Sequence, residues 1–288
     1  MTDTAPAAGP ARVWLVTGSS RGLGRALVTA VVEHGDRVAA TVRSRLDLGR
    51  LTERYGEDQV LETTLDVTDP HDARRAVAEC VERFGRLDVV VNNAGYANSA
   101  PIEEMPEDDF RAQVETDLFG VVNVTRAALP VLRRQRSGLF VQVSSVGGRA
   151  GGTPGMGAYQ SAKFGVEGFS AVLAAEVRPF GVRVVVVEPG AMRTEWQGDS
   201  MTLFPVGPDY LGTVGAVHER RRAVQGRQPG DPARAALLLL ELARGDELPA
   251  RLPLGAAAVD EVLVHEAASL AEARTWAAVS RSADLPAR

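Results

Sequence analysis

The stretch Val13-Trp-Leu-Val-Thr-Gly-Ser-Ser-Arg-Gly-Leu-Gly24 decides the fold. An apolar run ends in a turn with glycines at 18, 22 and 24, and Leu23–His34 continues with apolar residues at helical spacing. Glycine accepts positive φ and has no Cβ, so such a strand-turn-helix lets backbone approach an anionic group at the helix N-terminus. The loop has one more residue between its first two glycines than the common three-glycine dinucleotide loop. Gly18, Ser20, Arg21, Gly22, Leu23 and Gly24 are therefore a candidate pyrophosphate cradle.

Outward from this loop, short β-branched runs alternate with helical patterns. Strands are expected at Val38–Val42, Val60–Leu65, Leu87–Asn92, Leu139–Ser144, Val182–Val187 and Arg251–Leu254. Helices are expected from Asp69-Pro70 to Phe84 and over about 108–136, 158–180, 231–243 and 259–279. This alternation predicts an α/β fold: a single doubly wound Rossmann-type domain, with a parallel sheet of about seven strands and helices on both faces. The domain is expected over 12–288 after a disordered tail at 1–11. A substrate lid is expected at about 191–230 and an amphipathic C-terminal helix at about 259–279.

Composition narrows the function. The 288 residues are 45% hydrophobic and 24% charged, with a formal net charge of −5, which disfavours nucleic acid as a partner. One cysteine, Cys80, offers neither an internal disulfide nor a zinc set, and His34, His71, His218 and His265 lack metal-ligand spacing. No apolar run approaches the roughly 20 residues that span a bilayer, and the N-terminus lacks the blocks of a signal peptide. The expectation is a cytoplasmic protein with no metal, membrane or nucleic-acid partner.

The second strand ends Val38-Ala-Ala-Thr-Val-Arg43, without the carboxylate that would bind the ribose 2′-hydroxyl of NAD. Arg43, with Arg21 as a second cation, favours NADP(H) over NAD(H). Tyr159-Gln-Ser-Ala-Lys163 sets a phenol and an ammonium on one helix face, and Lys163 is the only lysine beside 31 arginines. A nearby ammonium is expected to lower the tyrosine pKa, so that the phenol can exchange a proton with an alkoxide. Ser144-Ser145 ends the strand upstream.

With these motifs in order, the sequence resembles the short-chain dehydrogenase/reductases over nearly its whole length. The loop at 17–24, Asp66 with Val67, the Asn-Asn-Ala-Gly run at 92–95, the set Ser145, Tyr159 and Lys163, and Pro189-Gly190 followed by Met192 and Thr194 match the family's motifs. The resemblance implies hydride transfer between a nicotinamide and a carbonyl or alcohol carbon. Tyr159 would be the general acid/base, Lys163 would hold the nicotinamide ribose, and Ser145 would bind the substrate oxygen. Asn93, Ala94 and Gly95 would pack near the cofactor, Asp66 would contact the adenine, and a homodimer or homotetramer is implied.

Two positions depart from the family. Asp117 stands where the asparagine of the catalytic tetrad is usual, and Ser145 precedes Tyr159 by fourteen residues, one more than is common. Asp117 is expected to bring negative charge toward Lys163 and alter the pH profile. Met201, Leu203, Phe204 and Tyr210 suggest an apolar, medium-sized carbonyl substrate, while Arg220-Arg221-Arg222 reads as a solvated helix face. The leading expectation is an NADP(H)-dependent ketone reductase, with a secondary-metabolite intermediate as one candidate substrate. The alternatives are an epimerisation, dehydration or rearrangement without net redox change, and a non-catalytic cofactor-binding protein.

Overall fold

The computed structural model describes residues 11–44, 51–198 and 200–285, so the tail expected at 1–11 lies, but for Ala11, outside the described residues. Seven strands, β1 (Val13–Val16), β2 (Arg37–Val42), β3 (Val60–Thr64), β4 (Val89–Asn92), β5 (Gly138–Val143), β6 (Val182–Pro189) and β7 (Arg251–Leu254), form one sheet in the order β3-β2-β1-β4-β5-β6-β7. All six pairings are parallel. The order reverses between β1 and β4, and the crevice at their C-terminal ends is where a doubly wound sheet binds ligands.

Strand periodicity divides the core in two. Trp14, Val16, Val89, Val91 and Val141 face the layer formed by α1 (Gly22–Glu33) and α8 (Pro232–Arg244). Leu15, Val90 and Phe140 face the opposite layer, which holds α3 (Pro70–Phe84), α5 (Gly120–Gln135) and the C-terminal half of α6 (Gly157–Val177). Each of these large side chains, withdrawn from water, stabilises the fold by about 2 kcal/mol. A short α2 (Leu51–Tyr55) precedes β3. Helix starts follow their caps: Asp69 accepts a hydrogen bond from His71 N at 2.7 Å ahead of Pro70, and Asp231 accepts one from Ala233 N at 2.8 Å ahead of Pro232.

Two expected helices differ from the structure. The stretch 108–136 is α4 (Glu107–Val114), then a wider π turn at Glu115–Phe119, then α5. The C-terminal α9 (Ala256–Arg281) is longer than expected and buries only Ala258 and Val262. Its Leu263, Val264, Leu270, Trp276 and Val279 stay exposed, so it is not amphipathic toward the body of the protein. No helix among the described residues is long and apolar enough to cross a membrane.

Candidate active site

The glycine turn is held by β4. Thr17 Oγ1 accepts hydrogen bonds from Asn93 N and Ala94 N, both at 2.9 Å. Asn93 Nδ2 donates to Thr17 O at 2.8 Å and Gly18 O at 3.2 Å. Gly18 has φ +69 and a Cβ there would lie 2.9 Å from Ala94 Cα, so both conformation and space demand glycine. Arg21 occupies the N-cap of α1 without a side-chain cap, and the first turn holds no acidic residue. The first amide groups of α1 thus lack a side-chain acceptor beside a cradle without side chains, an arrangement that fits a diphosphate. Gly24 does not line the cavity but packs beneath the turn, where a Cβ would lie 2.3 Å from Gly18 O.

The cradle opens into a cavity of about 910 Å³. On the β2–β3 side it is lined by Arg43, exposed at the end of β2, and by Asp66 and Val67. The Asp66 carboxylate accepts from Thr68 N at 2.9 Å and Thr68 Oγ1 at 2.7 Å. Asn93, Ala94 and Gly95 follow β4, and Pro189 ends β6, with Gly190, Met192 and Thr194 after it, on the other side of the strand-order switch. Ser145, Tyr159 and Lys163 line the same cavity.

At its floor, Ser145, whose Oγ accepts a hydrogen bond from Gly147 N at 3.1 Å, lines the cavity with the buried Tyr159 phenol. Ser144 is turned away, its Oγ donating to Lys163 O at 3.4 Å. Lys163 Nζ donates to Val143 O at 2.9 Å and lies 5.7 Å from the Tyr159 ring centroid. Burial lowers the Lys163 pKa, and the Asp117 charge acts against that shift. The Tyr159 pKa is raised, not lowered as the Tyr-x-x-x-Lys spacing suggests. Burial is the largest cause and the Asp117 charge the next, while the Ser145 hydrogen bond and the Arg221 charge pull it down. Burial of the charged form outweighs the Arg221 cation here.

Asp117 sits in the π turn, completely buried, and does not line the cavity. Its Oδ1 accepts from Tyr96 N at 3.0 Å, and its Oδ2 has no partner. Burial pushes its pKa up to about 6 despite the opposing pull of Lys163. A Cβ on Gly95 would lie 2.8 Å from Asp117 Oδ1 and 3.5 Å from Lys163 Nζ, so both groups crowd one point behind the cavity. The longer serine loop packs on α6: a Cβ on Gly148 would meet Ser144 Oγ at 2.6 Å and Lys163 Cβ at 2.9 Å.

The lid expected at 191–230 presents different residues from those expected. Met201, Leu203, Phe204 and Tyr210 do not line the cavity: Met201 and Leu203 pack with Tyr159 and Met156, and Phe204 packs with Met105 and Ala158. Tyr210 donates its hydroxyl proton to Glu103. The lid instead contributes Trp196, whose ring centroid is 5.1 Å from that of Tyr159, together with Ser200 and Arg221. Arg221 was hidden within three arginines, of which Arg220 and Arg222 are exposed. The signal for it was helical spacing, since Val217 and His218 of α7 (Ala216–Val224) are buried on the same face.

A doubly wound parallel sheet, a glycine cradle at its switch point and a Ser-Tyr-Lys cluster in one cavity together define a dinucleotide-fold oxidoreductase. The short chain dehydrogenase family model matches residues 12–202, and the chain belongs to that family. It is similar to oxidoreductase BOA17 of Botryotinia fuckeliana (strain B05.10), with 48% identity over 249 residues, 86% of this chain and 90% of that protein. It is similar to the 3-ketodihydrosphingosine reductase of Bacteroides thetaiotaomicron, with 37% identity over 183 residues, 64% of this chain and 65% of that one. A solved short-chain dehydrogenase from Streptomyces avermitilis superposes with a TM-score of 0.88 at 38% identity, covering 96% of this chain and 100% of that one.

Proposed function

We propose that the protein is an NADP(H)-dependent reductase of a ketone or other carbonyl compound. The observation that carries this reading is the grouping of Ser145, Tyr159 and a buried Lys163 in the cavity that also contains the glycine cradle. The cradle, Asp66, Asn93, Gly95 and Thr194 would hold the cofactor, and Arg43 and Arg21 would hold its 2′-phosphate. When bound, the dihydronicotinamide supplies a hydride to the carbonyl carbon. Ser145 orients the carbonyl oxygen, and Tyr159 delivers a proton to it, completing the alcohol. A tyrosine whose pKa is raised is protonated across neutral pH, which suits it to the acid role of the reductive direction. Lys163 is anchored on Val143 O, with its Nζ 5.7 Å from the centroid of the phenol ring.

The name of the Bacteroides relative describes ketone reduction, and the same chemistry is inferred here. Trp196 and Met156 give the substrate side an apolar wall. Exposed Phe119, Phe164 and Val172 on the π turn and α6 support assembly into a dimer or tetramer through those helices. A buried, unpaired Cys80 suits a reducing cytoplasm.

The test is titration with NADPH and NADH, then turnover with a ketone panel. The expected results are at least about tenfold tighter NADPH binding, about 1.4 kcal/mol, and one NADPH consumed per ketone reduced. Arg43→Glu should remove the cofactor preference. Tyr159→Phe should bind NADPH normally and lose about 100-fold or more in turnover. Preference for NADH would overturn the role of Arg43. Substrate conversion without net NADPH consumption would overturn the reductase reading.

A further inference from the structure

Arg221 stands apart among the arginines drawn out of water. Arg149 and Arg244 each end on a fully buried carboxylate, Arg149 on Glu188 at 3.2 Å and Arg244 on Asp36 at 2.6 Å. Arg221 is half-buried on α7, makes no ion pair or hydrogen bond among the described residues, and has a buried Nε without a partner. A guanidinium stays charged at any physiological pH, and withdrawing it from water without an anion is unfavourable. Its placement is fixed, because Val217 and His218 on the same helix face are buried and His218 Nε2 is 2.9 Å from Ser99 Oγ.

The guanidinium faces the cavity that holds Tyr159, and the two side chains influence each other electrostatically. Ser200 lines the same space, and its Oγ is also buried without a partner. Two donors without acceptors thus line the cavity that holds Tyr159. Glu195 and Glu261 line the cavity as well, but both are exposed, and no carboxylate among the described residues acts electrostatically on Arg221.

We propose that Arg221, assisted by Ser200, determines substrate specificity by binding a carboxylate, so that the compound presented to Tyr159 is a keto acid with an otherwise apolar chain. A carboxylate matches the planar fork of a guanidinium through two parallel hydrogen bonds and leaves an acceptor site for the Ser200 hydroxyl. The apolar chain lies against Trp196 and Met156. The inference rests on the reductase reading, but its anion site can be measured apart from turnover.

Calorimetry with hexanoate, hexanamide and inorganic phosphate, with and without NADP+, provides the first test. Hexanoate should bind about tenfold or more tighter than hexanamide in the wild type. Arg221→Met should abolish that difference and Arg221→Lys should keep part of it, with NADP+ affinity on the same samples reporting that each variant is folded. Equal binding of hexanoate and hexanamide overturns the proposal. Phosphate binding tighter than hexanoate, and lost in Arg221→Met, overturns the carboxylate assignment. The second test compares 5-oxohexanoate with its methyl ester in NADPH-dependent turnover. The acid should be preferred about tenfold or more in kcat/KM, and the preference should fall to near one in Arg221→Met. If no ketone consumes NADPH, the reductase reading fails while the hexanoate comparison still decides the role of Arg221. If ketones are reduced with no acid preference, only the Arg221 proposal fails.

Discussion

Replacing Asp117 by asparagine should stabilise the protein, and only above a definable pH. The folded-state pKa of Asp117 is pushed from 3.8 up to about 6 by burial, beyond what Lys163 and the Tyr96 amide restore. A carboxyl whose folded pKa is raised contributes stability that is fully present below the unfolded pKa and lost as pH rises through the folded one. Ionisation at Asp117 therefore lowers stability between about pH 4 and pH 6, by about 3 kcal/mol at 1.36 kcal/mol per pKa unit. Asparagine keeps the acceptor for Tyr96 N and removes the ionisation, so the variant should match the wild type near pH 4 and exceed it by about 3 kcal/mol above pH 6. In a chain of this size that gain is about 6 °C in melting temperature. Urea or thermal unfolding of both proteins from pH 4 to pH 8, without cofactor, measures the difference directly. The same charge raises the Tyr159 pKa. In Asp117→Asn the alkaline loss of reductase activity should accordingly move to lower pH. Equal stabilities at all pH values, or a variant less stable above pH 6, would refute the reasoning.

Three further outcomes follow from particular contacts. Gly24→Ala puts a Cβ 2.3 Å from Gly18 O and 2.6 Å from Asn93 Nδ2. It should destabilise the fold by about 2 kcal/mol in chemical unfolding and weaken NADPH binding at least about tenfold, because the turn must shift. Arg149→Met leaves fully buried Glu188 with only Arg251, at 4.0 Å, and should lose about 3 kcal/mol at pH 8 in the same measurement. Burial already raises the Glu188 pKa, so acidification should recover part of that loss by protonating it. Cys80 is buried, and its thiol is pushed up to about 12. It should resist a disulfide reagent at pH 8 in the native state and react stoichiometrically in denaturant.

Much of the fold was legible because it repeats a local rule. Strand positions such as Leu87–Asn92 are apolar on both faces, helix starts carry Asp-Pro, and these signals need no knowledge of distant residues. The π turn at Glu115–Phe119 left no such mark, since one extra residue per turn barely changes the spacing of apolar positions. The glycine loop and the Tyr-x-x-x-Lys pair were legible as motifs, but the sign of the Tyr159 shift was not. It depends on burial and on Asp117, which lies 42 positions away in sequence and comes near only through the fold. Gly24 shows the reverse: it belongs to the motif, yet it packs under the turn because Asn93 and Gly18 O fill the space where its side chain would be. Arg221 was obscured by composition. Where nearly every cation is arginine, a triplet carries little information until one member is found facing inward.

The charges around Tyr159 act on its phenol in opposite directions. Asp117 presses on the phenol from behind the cavity and raises its pKa, while Arg221 acts from the lid and lowers it. The two charges come from unrelated parts of the chain, a π turn packed against the core and a helix of the lid. The lid thereby supplies a positive charge that opposes the effect of the buried carboxylate on the phenol. A substrate carboxylate that pairs with Arg221 would neutralise that charge and leave Asp117 the stronger influence. The phenol would then hold its proton more firmly in the occupied site than in the free protein. That bias keeps the phenol in the acid form, the form that donation to a carbonyl oxygen would require.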